Sequence, residues 1–296
     1  MVRLWSVIAE TAAVISHANV GFVAAAFAVD TTALVLMAFR WRLFLRALKR
    51  DANLWETLLA YSAGVCVCNI TPARALGGDA CRAALIRRPS GSPPVKAIAA
   101  SVIYDRATDI AGFLLLGLIA LPVLSPKSAH WAVVAAIVLA GALGARPLYR
   151  RLIRRIDSWN LAAINRDVTA ALPGAIGCSL IIWSLDITRI LLVTTAFGIR
   201  FVPSQAATVS LLRLVSGVVP IPAGIGVVDS ALVGGFIWLG LPPTTAAAVA
   251  IVERAIVYGW DSVLGAGALL LLGGSRALRK AQPEQPPFGL TSDASA

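Results

Sequence analysis

Charged residues set inside apolar runs are where this sequence could do chemistry. Asp105-Arg106-Ala107 with Asp109, and Glu253-Arg254-Ala255 with Asp261, stand in the middle of two long hydrophobic stretches. Each is preceded by a Pro/Gly-rich motif. The first runs from Asn69 through Pro72 and Arg74 to Gly77, Gly78 and Asp79; the second runs from Pro220 through Pro222, Gly224 and Gly226 to Asp229. Asp30, Asp186, Arg189 and Arg213 are further charges in apolar surroundings. An ionisable group in the middle of a membrane span costs at least about 2.5–3.5 kcal/mol on insertion scales, so each needs a partner or a wet cavity. Guanidinium groups offer planar, bidentate donors suited to phosphate, and backbone N–H groups freed where a helix breaks suit anions too. The pattern points to a phosphate-bearing group held by Arg74, Arg106 and Arg254 between the two breaks. Gly77, Gly78, Asp79, Asp109, Arg213, Pro222, Gly224, Gly226, Asp229 and Glu253 complete the expected site. The competing expectation is structural. Arg106 lies three residues from Asp109, Asp186 three from Arg189, and Arg254 seven from Asp261, so each arginine could be neutralised by its own helix.

Other chemistries have less support. His17 and His130 lie near the edges of apolar runs without a Ser, Cys or carboxylate arrangement around them. Cys66 and Cys68 are two apart and point to different helix faces, and with Cys81 and Cys178 they read as small buried thiols. No cofactor and no metal is expected. A membrane-embedded transferase acting on a lipid-linked phosphate is the alternative, with Asp79 or Asp229 as base or metal ligand. It lacks the paired carboxylates in an external loop that such transfer needs.

The elements that must position these residues follow from composition. Of 296 residues 58% are hydrophobic and only 14% are Asp, Glu, Lys or Arg, with a mean hydropathy of +0.80. A soluble domain carries about 25% charged residues, so a water-soluble enzyme and a disordered chain are both excluded. The apolar runs are long and rich in Ala and Leu, unlike the short alternating strands of a β-barrel. The net charge of +11 comes from clusters at Arg40–Arg50, Arg87–Lys96, Arg146–Arg155 and Arg276–Lys280. They border apolar runs, as the positive-inside rule expects, and lack the aromatic interleaving that would bind nucleic acid.

Spans are expected over Val20–Phe39, stopped by Arg40-Trp41-Arg42, and over Val95–Leu121, Trp131–Ala145, Gly174–Phe197 and Thr244–Leu272. Leu54–Ile70 and Gln205–Val219 run into the two breaks. Residues 1–18 read as an interfacial helix and 148–166 as an amphipathic surface helix. The halves share an order: Pro/Gly break, Asp, return, then a long helix bearing acid-Arg-Ala. Pro72 to Arg106 is 34 residues and Pro222 to Arg254 is 32. The basic turns place the Leu54–Leu85 hairpin on the cytoplasmic side and the Gln205–Leu239 hairpin outside, so one half is inverted relative to the other. Paired broken helices in an inverted repeat place a substrate site near the bilayer midplane. The expected fold is all-α: a polytopic integral membrane protein of about seven or eight helices with two re-entrant hairpins. A single membrane domain fills residues 1–273, with halves at about 20–147 and 173–273. Residues 274–296 form a basic, then disordered, cytoplasmic tail.

At these residues the sequence resembles the flippase-like family named after the transmembrane region of lysylphosphatidylglycerol synthase. The resemblance rests on Trp41-Arg42, on Asn69-x-x-Pro72-x-Arg74-x-x-Gly77-Gly78-Asp79-x-x-Arg82, and on Asp105-Arg106-x-x-Asp109. The second half adds Pro220-x-Pro222-x-Gly224-x-Gly226-x-x-Asp229 and Glu253-Arg254, over roughly residues 20–273. Asp229 stands where the family pattern usually has Glu. The resemblance implies a multi-pass inner-membrane protein handling a phospholipid or a polyprenyl- or hopanoid-type lipid. Membrane lipids, and lipid-biosynthesis enzymes, are the partners it implies. No soluble aminoacyl-transferase domain follows Arg279, so lysyl transfer is not expected.

Overall fold

The computed structural model describes residues 2–48, 52–71, 74–86, 95–120, 162–217 and 224–281. Every regular element among them is helical. The α-helices are α1 (Val2–Ser16), α2 (Val20–Ala47), α3 (Leu54–Ile70), α4 (Arg74–Ile86), α5 (Val95–Ala120), α6 (Ala162–Ala196), α7 (Pro203–Ser216), α8 (Val227–Trp238), α9 (Pro243–Arg254) and α10 (Asp261–Ala281), and a π-helical turn at Ala255–Trp260 joins the last two. This is an all-α membrane protein. Helical segments over Val20–Ala47, Asp167–Ala196 and Pro243–Gly273 are long and apolar enough to cross a bilayer. By contrast α3, α4, α7 and α8 have 17, 13, 14 and 12 residues. At about 1.5 Å per residue none of these reaches the roughly 30 Å of a hydrocarbon core. They pair instead, α3 against α4 and α7 against α8.

Local sequence sets the helix ends. The Asn19 side chain accepts from the Gly21 N–H at 2.9 Å and starts α2, and Asn53 caps α3 through the Glu56 N–H at 2.6 Å. Pro203 and Pro243 occupy the first turns of α7 and α9, where no N–H is needed.

The frame is the pair α2 and α6, which run antiparallel along their length. At one end the Asn19 N–H donates to the Ala196 carbonyl at 2.8 Å; near the other, the Leu43 side chain lies over Gly174. The hairpins attach crosswise: α3 packs against α10 and α7 packs against α5. One core, around Trp41, Leu45, Tyr61 and Ile98, joins α2, α3 and α5; a second, around Ile190, Leu232, Phe236 and Val249, joins α6, α8 and α9; a third, around Phe44, Ala100 and Val168, joins α2, α5 and α6.

Three expectations change. α2 does not stop at Phe39: it runs two further turns to Ala47, with Arg40 and Trp41 among the most buried side chains in the molecule. Arg40 is therefore part of the interior and not of a basic loop. Ten α-helices appear among the described residues, more than the seven or eight expected, because each broken segment yields two and the π turn divides the last. The expected surface helix at 148–166 begins outside the described residues, and 162–166 belong to α6. The expected span Trp131–Ala145 and the tail beyond 281 also lie outside them.

Candidate functional site

Two groups of buried ion pairs flank the α2–α6 axis. In the first, the Arg40 guanidinium on α2 donates from Nε to Asp105 Oδ1 at 2.8 Å and from Nη1 to Asp109 Oδ1 and to Ser179 Oγ. Asp105 and Asp109 are four apart on α5, so one helix face presents both carboxylates to one fork. Arg82 on α4 reaches the other Asp105 oxygen at 2.7 Å and Asp79, three residues back, at 2.9 Å. Its guanidinium lies 4.8 Å from the Trp41 ring centroid and 4.7 Å from that of Tyr61, two cation–π contacts that replace water around the charge. Arg106 closes the group with two bonds to Asp79, at 2.8 and 3.0 Å, and Nη1 stands 3.9 Å from Asp109. The Arg40, Arg82 and Asp105 side chains are at most 2% exposed, whereas that of Arg106 is 45% exposed.

In the second group Arg189 on α6 donates to Asp30 of α2 at 2.9 Å, to Asp186 at 2.7 Å and to Glu253 of α9 at 2.8 Å. Asp186 also accepts from Ser210 and Arg213 of α7. Arg254 Nε meets Asp229 Oδ1 at 2.7 Å, and its guanidinium lies 3.7 Å above the Tyr258 ring. The other Asp229 oxygen accepts the Gly226 N–H at 2.8 Å. Gly226 has φ +84, a backbone region open to glycine, and this aims its N–H back at the helix start. The positive end of α8 is thus occupied by the protein's own carboxylate.

The two groups correspond. Arg106 pairs with Asp79 and Arg254 with Asp229, while the preceding acid, Asp105 or Glu253, turns to an arginine on the central pair, Arg40 or Arg189. Arg40 bonds Ser179 of α6, and Arg189 bonds Asp30 of α2. Every one of these equivalences spans 148–150 residues.

The described residues of the expected site fall into two ion-pair groups, one around Arg106 and one around Arg254. Arg106 and Asp79, Asp109, Glu253, Arg254, Asp229 and Arg213 all take part. Arg254 does not pair with Asp261 along its own helix but with Asp229 across to α8. Gly78 serves close packing: a Cβ on Gly64 would come 2.8 Å from its carbonyl oxygen, so α3 and α4 touch backbone to backbone. Gly77 faces Thr71, and Gly224 is buried with φ +65. The Arg74 side chain and Pro222 lie outside the described residues. Sequence reading missed Arg40, and named Asp30, Asp186 and Arg189 as buried charges without placing them in the site. Extending the internal repeat toward the N-terminus pairs Arg40 with Arg189, a signal present in the sequence. Among the described residues no group of three or more His, Cys, Asp or Glu side chains is arranged to hold a metal ion.

A bundle of helices built around buried Arg–carboxylate groups is an integral membrane protein with an ion-lined interior. The chain belongs to the family described as the lysylphosphatidylglycerol synthase TM region, whose model matches residues 2–265. It is 27% identical over 292 residues to a UPF0104 membrane protein of Methanothermobacter thermautotrophicus, covering 86% of each chain. A UPF0104 membrane protein of Methanocaldococcus jannaschii is 25% identical, over 88% of this chain and 87% of its own. One from Pyrococcus horikoshii is 22% identical, over 90% and 91%. No solved structure matches.

Proposed function

We propose that this protein moves the phosphate-bearing headgroup of a membrane lipid between leaflets while the tail stays in the bilayer. The observation that carries this reading is the asymmetry between the two Arg–Asp pairs. In the first half the cation is uncovered: the Arg106 side chain is 45% exposed and Asp79 16%. In the second the carboxylate is uncovered: Asp229 is 41% exposed and Arg254 only 15%, shielded by Asp229 and Tyr258. A lipid phosphate reaching Arg106 meets a bidentate donor, and Asp79, displaced from it, keeps Arg82. One charge-assisted pair replaces another, so the exchange is close to balanced. Inverting the asymmetry would present Arg254 and cover Arg106, which moves the anion site from one half to the other. With α2 and α6 antiparallel, the halves face opposite leaflets.

On this reading it is a multi-pass protein of the cell inner membrane with its C-terminus in the cytoplasm, a side that the basic segment Arg276–Lys280 favours. The test is reconstitution into phosphatidylglycerol/phosphatidylethanolamine vesicles with a headgroup-accessible fluorescent lipid. The expected result is faster leaflet exchange than in protein-free vesicles, lost in Arg106→Gln. Unchanged exchange across phospholipid and polyprenyl-phosphate probes would overturn the reading. A new labelled product from a lipid-linked sugar would replace it with a transferase.

A further inference from the structure

The two groups differ in charge. In the first, Asp79, Asp105 and Asp109 meet Arg40, Arg82 and Arg106, three against three. In the second, Asp30, Asp186, Asp229 and Glu253 meet Arg189, Arg213 and Arg254, and Asp261 adds a fifth carboxyl against Asp30. The surplus has an address. Asp30, 5% exposed, gives Oδ1 to Arg189, but its Oδ2 is fully covered and accepts from no donor. Asp261 Oδ1 is covered in the same way and is equally without a donor. The two carboxyls are neighbours, each acting on the other's charge.

Their approach is built into the fold. Trp260 Nε1 donates to Thr31 Oγ1 at 2.9 Å, and its ring stands edge-on to Phe27 at 5.7 Å. The sequence neighbours of that pair are Asp261 and Asp30. The π turn ending at Trp260 sets the direction in which Asp261 points; π turns inside helices are frequent at functional sites. Two ionised carboxylates at this separation repel, whereas one protonated and one ionised carboxyl form an O–H···O⁻ bond that satisfies both orphan oxygens. The charged groups facing the pair are Arg189 and Asp186 from α6, Glu253 from α9 and Arg213 from α7.

We infer that Asp30 and Asp261 share one exchangeable proton, and that this proton is the ion coupled to headgroup movement. The first part stands on the two covered, donorless oxygens and on the Trp260–Thr31 bond that brings their helices together; the second rests on the function proposed above. The proton passes between water and a carboxyl, with no other bond made or broken, and Asp261, only partly covered, is its way in and out. Its release leaves Asp30 charged and strengthens its hold on Arg189. Arg189 also holds Glu253, the residue before Arg254, so the proton and the second-half anion site act on one helix.

Infrared spectroscopy of the purified full-length chain in detergent at neutral pH tests the site directly. The expected result is a protonated-carboxyl C=O band that shifts in D2O and is absent from both Asp30→Asn and Asp261→Asn. No such band in the wild type, or its persistence in both variants, would overturn the site. So would its disappearance when sodium chloride replaces choline chloride, which would make the ligand a metal cation. Should Asp30→Asn not fold, Asp261→Asn decides alone. In vesicles, an imposed pH gradient is expected to accelerate lipid exchange at least several-fold in the wild type and not in Asp261→Asn. Exchange that ignores the gradient overturns the coupling. A wild type that moves no lipid while keeping the infrared band overturns the proposed function and leaves the proton site standing.

Discussion

Arg40 serves acceptors on α5 and α6 with one guanidinium, and Asp105, fully buried, is paired with it and with Arg82. Breaking a buried pair by removing one partner leaves an uncompensated charge, at a cost of about 3–5 kcal/mol. Arg40→Gln is therefore expected to lower the detergent melting temperature sharply, and Arg40→Lys to recover only part of it, because an ammonium cannot span the same fork. Arg106→Gln is expected to behave in the opposite way. Its side chain is half uncovered, so stability should change by no more than about 1 kcal/mol while retention of anionic-headgroup lipid is lost. Equal losses of stability and lipid for Arg106→Gln would return the residue to a purely structural role. These roles were unevenly legible. Asp186–Arg189 pairs at the three-residue spacing the sequence displays. Arg40 resembled a stop signal because its partners lie 65 and more residues away, beyond the reach of any local pattern.

At the scale of the helices, the apolar runs placed α3 to the residue and α1, α5 and α7 to within three positions, but ended α2 eight residues early and began α6 twelve residues late. The π turn left no trace, since one added residue in the helical register changes no composition. It matters, because it separates Arg254, which faces α8, from Asp261, which faces α2. Deleting Val257 would restore α-helical register and turn everything beyond it by about 100°. That change is expected to abolish the Trp260–Thr31 bond and the Asn69–Ser262 bond together, with a marked fall in melting temperature. Trp260→Phe, which removes the indole N–H and leaves a smaller aromatic ring against Phe27, is expected to cost at least about 1 kcal/mol. The α3–α4 contact offers a second check. Gly78→Leu drives a side chain into the Gly64 backbone, with an expected loss of roughly 1–3 kcal/mol by thermal unfolding.

For the molecule as a whole, the antiparallel α2–α6 pair brings residues 19 and 196 to one end. Ala18→Cys and Gly198→Cys, in a background with the four native cysteines replaced, are expected to react with a membrane-impermeant maleimide from outside the cell. Ser275→Cys is expected to react only after lysis; labelling of Ala18→Cys and Gly198→Cys from opposite sides would contradict the pairing. The inversion of the halves was legible from charge placement and motif order, but the crosswise attachment of the hairpins was not, because no local pattern says which long helix a hairpin meets. The same central pair has a consequence for biosynthesis. Asp30 and its partner Arg189 are 159 residues apart, and at a synthesis rate of about 5–20 residues per second Asp30 waits roughly 8–30 s in the translocation machinery for its counter-charge to be made. Through that interval α2 would carry an unpaired acid, and the first half would stand as an insertion intermediate without its α6 flank. Nascent chains stalled before α6 should therefore be held by insertase or cleared by membrane proteases, and supplying the second half as a separate polypeptide should rescue them.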